Sequence, residues 1–289
     1  MTRSALVTGA TGFIGGHLAR TLVAEGWAVS ALQRTATADS PASRSLRDAG
    51  VELVLVDDGA AVQRAARDAG AEVVFHLATN YLKSHSPDDI PGLIDANVTF
   101  GTHLLEGLRD SSAAIVSALS FFQFSGGQPT PVSLYSATKQ AFLDVSAYYR
   151  EVLGLDITQV VLYDTYGPGD SRDKLVPHLL AAARASASVS LGPGAQPLDL
   201  LYVDDVVAGL RAAAESRAPI LALRAPELVT VADVVAGFGE LAGAPLQATF
   251  NDDAPLNDLV SRSGDWAAPS GWTGGRSLRE GLERTWALG

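Results

Sequence analysis

The sequence predicts an α/β protein built on a doubly wound parallel sheet. Three observations carry that prediction. Short apolar runs recur at 3–8, 27–33, Val51–Val56, Glu72–Leu77, Ala113–Leu119 and 156–163. Runs of that length bounded by Gly, Pro or polar residues read as buried strands. Amphipathic stretches of helical period stand between them, and strand–helix alternation is the pattern of a parallel sheet. A glycine-rich turn, Gly9-Ala-Thr-Gly12-Phe-Ile-Gly15, follows the first run directly.

Composition sets the outer bounds. A chain of 289 residues buries a large core and makes one large domain or two small ones. With 47% hydrophobic and 18% charged residues it reads as soluble and globular. No apolar run reaches the ~18 residues of a membrane-spanning helix. The amino terminus enters a strand without a signal-peptide pattern, so the expected location is cytoplasmic. The absence of cysteine excludes disulfides and thiolate metal sites. His17, His85, His103 and His178 have no metal-ligand spacing, so no metal site is expected. A net charge of −11 argues against nucleic acid or an anionic membrane as partner. An anionic substrate would then depend on a few local cations. Lys83, Lys139 and Lys174 are the only lysines among 21 basic residues, which makes a lysine inside a motif informative.

The elements follow in order. Residues 3–8 form the first strand, and an amphipathic helix runs from the glycine turn to about Glu25. Glycines let backbone approach a pyrophosphate, and a helix amino end favours its charge, so the unit reads as a dinucleotide-binding opening. The spacing is Gly-x-x-Gly-x-x-Gly; the plainer alternative is a turn that packs helix on strand. At the end of the second strand, 27–33, an acid would suit the ribose diol of NAD. Gln33 and Arg34 stand there instead, and an arginine suits a 2′-phosphate, so NADP(H) is expected, with NAD(H) as the alternative.

The third strand ends before Asp57, a candidate acceptor for an adenine amino group. A helix over 59–70 leads to the fourth strand, which ends in His76-Leu-Ala-Thr79, with His76 as a packed strand-end residue. Residues 80–92 read as a loop and 93–109 as a helix containing Asn97. The fifth strand places Ser120 at its carboxyl end, where parallel sheets bind ligands. A helix to about Leu153 and a sixth strand close the alternation. Beyond Tyr166-Gly-Pro-Gly169 the pattern loosens into helices near 174–187, 204–216, 230–242 and 277–287. This predicts a dinucleotide-binding domain over 1–165 and a smaller α/β substrate lobe over 166–289, interleaved rather than independent.

The chemistry is expected on the helix after Ser120. Tyr135 and Lys139, four residues apart, share a helix face. A tyrosine's pKa of about 10 falls beside a fixed cation, and such a phenol can pass a proton near neutral pH. Alone, the pair could equally be a half-buried helix face. Its place after a nucleotide loop and a strand-end hydroxyl is what makes it a candidate site.

Together the motifs resemble the extended short-chain dehydrogenase/reductase family, the NAD-dependent epimerase/dehydratase family, over essentially the whole chain. Thr8-Gly-Ala-Thr-Gly-Phe-Ile-Gly15, His76-Leu-Ala78, Asn97, Tyr135 with Lys139, Tyr166-Gly-Pro168 and Tyr202-Val-Asp-Asp205 match its landmarks in order. Ser120-Phe-Phe-Gln-Phe124 and Leu134-Tyr-Ser-Ala-Thr-Lys-Gln-Ala-Phe142 resemble its nucleoside-diphosphate 4-keto-6-deoxyhexose 4-ketoreductases and CDP-abequose synthase.

The resemblance implies a Rossmann-type fold and NADPH-dependent reduction of a dTDP- or CDP-linked keto-deoxysugar in a homodimer. Ser120, Tyr135 and Lys139 would be catalytic, with Asn97 ordering a water behind Lys139. Gly9, Thr11, Gly12, Phe13, Ile14, Gly15, Gln33, Arg34, Asp57, Leu77, Ala78, Thr79, Asn97, Tyr135 and Lys139 would line the cofactor. Phe122, Gln123, Thr165, Lys174 and Arg262 would face the substrate. Phe121 and Phe122 occupy the place of the Asp-Glu pair of the family's dehydratases, which removes the groups needed for elimination. Leu198 replaces a frequent pyrophosphate-gripping arginine, leaving Lys174 and Arg262 as candidates. The alternatives are an epimerase with tightly held NAD, a C3-ketoreductase and a non-enzymatic NADP-binding regulator.

Overall fold

In the computed structural model, which describes residues 2–257, 260 and 263–289, the chain builds one parallel sheet flanked by helices. Its strands are β1 (Ser4–Thr8), β2 (Ala28–Gln33), β3 (Glu52–Leu55), β4 (Val73–His76), β5 (Ala114–Ser120), β6 (Ile157–Leu162) and β7 (Ile220–Leu223). They lie in the order β7-β6-β5-β4-β1-β2-β3, every pair parallel. This is the doubly wound arrangement that the strand–helix alternation predicts.

Side chains of a strand alternate between faces, and the two faces here build two cores. Val7, Phe75, Val116 and Val160 meet Leu18, Leu22, Val206 and Leu210 on one side. Leu6, Val74, Ile115 and Ile157 meet Leu104, Leu105, Phe142 and Tyr149 on the other. Burial on both faces explains why these strands are apolar throughout instead of alternating.

The chain leaves β1 toward β2 and β3 but passes to β4 and β5 on the other side. Between β1 and β4 lies the crevice where such sheets bind ligands. Gly9 stands at its mouth with φ 73°, and a Cβ there would come 2.7 Å from the Leu77 carbonyl and the Ala78 nitrogen. A Cβ on Gly15 would meet the Gly9 oxygen at 2.3 Å. The glycine spacing is thus required by close backbone packing at the crevice.

Several boundaries differ from the sequence reading, each for a local reason. A helix over Pro41–Asp48 was not expected; Ser40 caps it by accepting from Ser43 N, and only Ser43 and Leu46 are buried, too few to give a period. The loop at 80–92 contains a 3-10 turn, Pro87–Asp89, and helix begins at Ile90 with Pro91 in its first turn, where a missing N–H costs nothing. That helix widens to a π-helical segment, Asp95–Thr99, before continuing as Phe100–Gly107.

The seventh strand comes from beyond residue 165, and the helix Val203–Ala213 packs Val206, Val207 and Leu210 under the same sheet. A cut at 165/166 therefore crosses the main core. The remaining lobe gathers Leu179, Val234, Phe238 and Leu282 from the helices Leu175–Ala185, Val231–Ala242 and Leu278–Leu288 around Tyr166 and Tyr202. No helix among the described residues is long and apolar enough to cross a membrane.

Candidate active site

The site is built at the carboxyl ends of β4 and β5. Ser133 caps the helix Leu134–Glu151, its hydroxyl accepting from Ser136 N at 3.2 Å. This fixes Tyr135 in the first turn and Lys139 one turn later; they are 8% and 3% exposed. Ser120 ends β5 and is held in a tight turn. Its N–H donates to Gln123 Oε1 at 2.8 Å, and its hydroxyl accepts from Phe122 N at 3.4 Å. The Ser120 and Thr79 side chains act on the Tyr135 phenol, each favouring loss of its proton. Ser120 and Thr79 thus lie by the Tyr135 phenol, and Lys139 is buried one turn along the same helix.

The electrostatics correct one expectation. The Tyr135 phenol is pushed up, not down, from its ordinary pKa: burial dominates, the Thr79 and Ser120 hydroxyls partly offset it, and the Tyr81 phenol adds to the rise. Burial also lowers the Lys139 ammonium to about 8. Desolvation disfavours both charged forms, so the cation that was to acidify the phenol is itself weakened. His76 behaves as the packed residue expected. Burial first, and then the Lys139 charge, lowers it to about 3, keeping it neutral. Its Nδ1 shares a 2.8 Å bond with Thr8 Oγ1, and Phe100 and Phe142 flank its ring.

The Asn97 amide is bonded entirely within the protein. Its Oδ1 accepts from Asn80 N at 2.7 Å and Thr79 Oγ1 at 3.0 Å. Its Nδ2 donates to Asn80 O at 3.0 Å and Thr138 Oγ1 at 2.9 Å. All four bonds of the amide are used. Asn97 therefore pins the loop after β4 to the Tyr135 helix from within the π-helical segment.

On the cofactor side, the first helix (Phe13–Ala24) starts at Gly12 without a side-chain cap, so its amino end is open to an anion. Thr11 is exposed beside it, and Phe13 and Ile14 are half-buried in its first turn. Leu77 N and Ala78 N are tied to Thr8. Gln33 is 5% exposed and donates to Thr37 O at 2.6 Å and Ser43 Oγ at 2.5 Å, so its amide shapes the following loop. Asp57 accepts from Thr35 N at 2.9 Å across that loop. The Arg34 guanidinium is exposed and has no partner among the described residues. A glycine cradle that a Cβ would fill, an uncapped helix and a buried lysine fit a dinucleotide.

On the substrate side, Phe121 and Phe124 are core, while Phe122 is half-buried and stacks on Phe121 at 4.2 Å. Phe121 stacks in turn on Tyr163 at 5.1 Å. Gln123 is fully buried beneath the Ser120 turn, its amide nitrogen without a partner among the described residues. Thr165 is 8% exposed, and Lys174 Nζ lies 3.5 Å from Asp164 Oδ1. Arg262 lies outside the described residues.

Three features escaped the sequence reading. Tyr81 packs edge-on to Tyr135, with ring centroids 4.9 Å apart. Arg172 grips Asp170 at 2.7 Å and lies 4.5 Å over the Phe13 ring. Asp199, fully buried beside Leu198, accepts from Arg224 Nε at 2.8 Å and Ala225 N at 2.7 Å. An aromatic in a polar loop gives no periodic signal, and neither ion pair has a sequence spacing that marks it.

Comparison with known proteins identifies the family. The model of the NAD dependent epimerase/dehydratase family matches residues 5–222, and the chain belongs to that family. CDP-abequose synthase of Salmonella typhimurium is 28% identical over 210 residues, covering 70% of this chain and 67% of that protein. A dTDP-4-dehydro-6-deoxy-D-allose reductase of a Streptomyces species is 26% identical, covering 88% and 86%. A probable UDP-glucuronate 4-epimerase of Rhizobium meliloti is 27% identical, covering 70% and 65%. Among solved structures, the Thermus thermophilus UDP-glucose 4-epimerase complex with NAD superposes with a TM-score of 0.81 at 25% identity, covering 98% of each chain.

Proposed function

We propose that the protein reduces the keto group of a nucleotide-activated 4-keto-6-deoxyhexose, dTDP- or CDP-linked, using NADPH. The carrying observation is the convergence of Ser120 and Tyr135 beside buried Lys139, with the Phe121–Phe122 stack where elimination would need two carboxyl groups. A single proton donor suffices for ketone reduction, whereas loss of water needs an acid and a base. The abequose synthase and allose reductase relatives support this reading.

The glycine turn and the first-helix amides would hold the diphosphate of the dinucleotide, Arg34 its 2′-phosphate, and Lys139 its nicotinamide ribose. When bound, the reduced dinucleotide supplies the hydride. Ser120 and Tyr135 hydroxyls hydrogen-bond the ketone oxygen and orient it. Negative charge grows on that oxygen, and Tyr135 transfers its proton there. A raised phenol pKa keeps the proton in place at neutral pH until that charge develops. Phe122 presents a partly exposed apolar ring suited to a deoxygenated sugar face. Tyr148 and Val152, 52% and 66% exposed near the end of the Tyr135 helix, support pairing of two copies through that helix.

The test is NADPH oxidation against a panel of dTDP- and CDP-linked keto sugars, with product configuration assigned by NMR. An epimerase is the second reading, favoured by the Thermus and Rhizobium relatives. It would recycle a tightly held NAD, so repeated turnover of free NADPH separates the two.

A further inference from the structure

We propose that Arg172 is a further cofactor-binding residue, its guanidinium donating to the diphosphate of the bound dinucleotide. The inference rests on the dinucleotide reading of the glycine turn and is independent of the reductase reading.

The segment after Tyr166 lies across the start of the first helix. His17 Nε2 meets the Pro168 carbonyl at 3.2 Å. A Cβ on Gly167 would come 3.6 Å from Phe13 Cζ, so the backbone itself approaches that ring. The Arg172 guanidinium carbon lies 4.5 Å from the centre of the Phe13 ring, which in turn meets the His17 ring edge-on at 5.1 Å. Phe13 is the first residue of the helix whose amino end, at exposed Gly12, carries no side-chain cap. The glycine cradle that fits a dinucleotide leads directly into that end. Arg172 thus brings a cation from the other lobe to the first turn of the cofactor helix.

The guanidinium is held, with donors to spare. Its Nε donates to Asp170 Oδ1 at 2.7 Å, and its Nη2 donates to Asp170 Oδ2 at 2.8 Å and to the Thr165 carbonyl at 2.6 Å. The Asp170 side chain is only 1% exposed, so the fork is anchored from within the protein. A guanidinium has five N–H groups, and these bonds use three of them. Nη1 carries the other two and has no partner among the described residues. A planar donor fixed in advance loses little freedom when a phosphate arrives, and its fork matches phosphate geometry.

The neighbouring cations are occupied or placed elsewhere. Lys174 is shared between Asp164 and the Tyr81 ring, and Arg34 stands at the far end of β2. In a chain of net charge −11, a doubly charged diphosphate needs a local cation, and Arg172 is the one beside the first turn.

The experiment is fluorescence titration of the full-length protein with NADPH and, separately, with NADH. The diphosphate is common to both, so Arg172→Ala should weaken both by about tenfold to a hundredfold and leave their ratio unchanged. Loss of a 2′-phosphate contact would instead weaken NADPH alone. The salt dependence of the Kd should flatten in Arg172→Ala, because a charge contact is screened, and Arg172→Lys should recover part of the affinity. dTDP and CDP, which carry the diphosphate of the sugar substrate, should bind the variant as they bind the parent. Unchanged affinity for both dinucleotides, weakened dTDP or CDP with unaltered dinucleotides, or a loss with the parent's salt dependence would each overturn the assignment. Arg172→Ala leaves the Asp170 carboxylate unpaired; should it not fold, Arg172→Met combined with Asp170→Asn reads the same loss. A parent protein that binds neither dinucleotide would sink the dinucleotide reading and this assignment with it, whereas a parent that binds and a variant that binds equally well would sink the assignment alone.

Discussion

Lys174 Nζ stands 4.6 Å from the centre of the Tyr81 ring, and that ring meets Tyr135 edge-on at 4.9 Å. Tyr81 belongs to the loop after β4, while Lys174 stands just before the helix Leu175–Ala185 of the other lobe. The contact therefore joins the two parts of the chain beside the phenol, and Asp164 shares the ammonium at 3.5 Å.

From this follows a prediction about binding. A cation–π contact and an edge-on aromatic pair are each worth about 1 kcal/mol. Tyr81→Ala should raise the KM for the sugar substrate about tenfold, equivalent to about 1.4 kcal/mol, and leave the NADPH Kd unchanged. Tyr81→Phe, which keeps the ring, should behave as the parent. Steady-state kinetics with fluorescence titration of NADPH checks both.

Arg34 should decide which dinucleotide is used. Its guanidinium has no partner among the described residues at the end of β2, while Gln33 is committed to the loop by its bonds to Thr37 and Ser43. Charge-assisted bonds contribute about 1.5–3 kcal/mol. Arg34→Glu should weaken NADPH by about tenfold to a hundredfold and improve NADH, measured as the ratio of kcat/KM values for the two. An unchanged ratio would remove the 2′-phosphate assignment.

Lys139 should cost stability at neutral pH. Its folded pKa, about 8, lies below the ordinary lysine value of 10.5. The unfolded chain therefore binds more protons than the folded one between those values, and stability rises with pH there. Below about pH 8 the penalty is present in full, on the order of 3 kcal/mol. Lys139→Met should raise the Tm of the ligand-free protein at pH 7, with the gain shrinking toward pH 10, while turnover is lost. A lower Tm at pH 7 would show that the ammonium is stabilised after all.

How much of this was legible in the sequence depends on the kind of interaction. Strands such as Leu6-Val7 and Ile115-Val116 were readable because burial on both faces leaves an unbroken apolar run. The glycine turn was readable because close packing of Gly9 on Leu77 and of Gly15 on Gly9 excludes a Cβ. Ser120, Tyr135 and Lys139 were readable as a motif, but the direction of the Tyr135 shift was not. Spacing places the lysine near the phenol and says nothing of the burial that outweighs it. Asn97 was found, but its amide bonds were not legible, because the partners Thr79, Asn80 and Thr138 come from two segments that only the fold brings together. The Asp199–Arg224 pair, 25 residues apart, is equally silent in one dimension.

The proposed reduction depends on the Tyr135 hydroxyl as proton donor. Its most direct test is single-turnover oxidation of NADPH by Tyr135→Phe with an accepted keto sugar. Loss of the acid should slow the step by about 10²–10⁴-fold at an unaltered NADPH Kd. A rate within tenfold of the parent would contradict it.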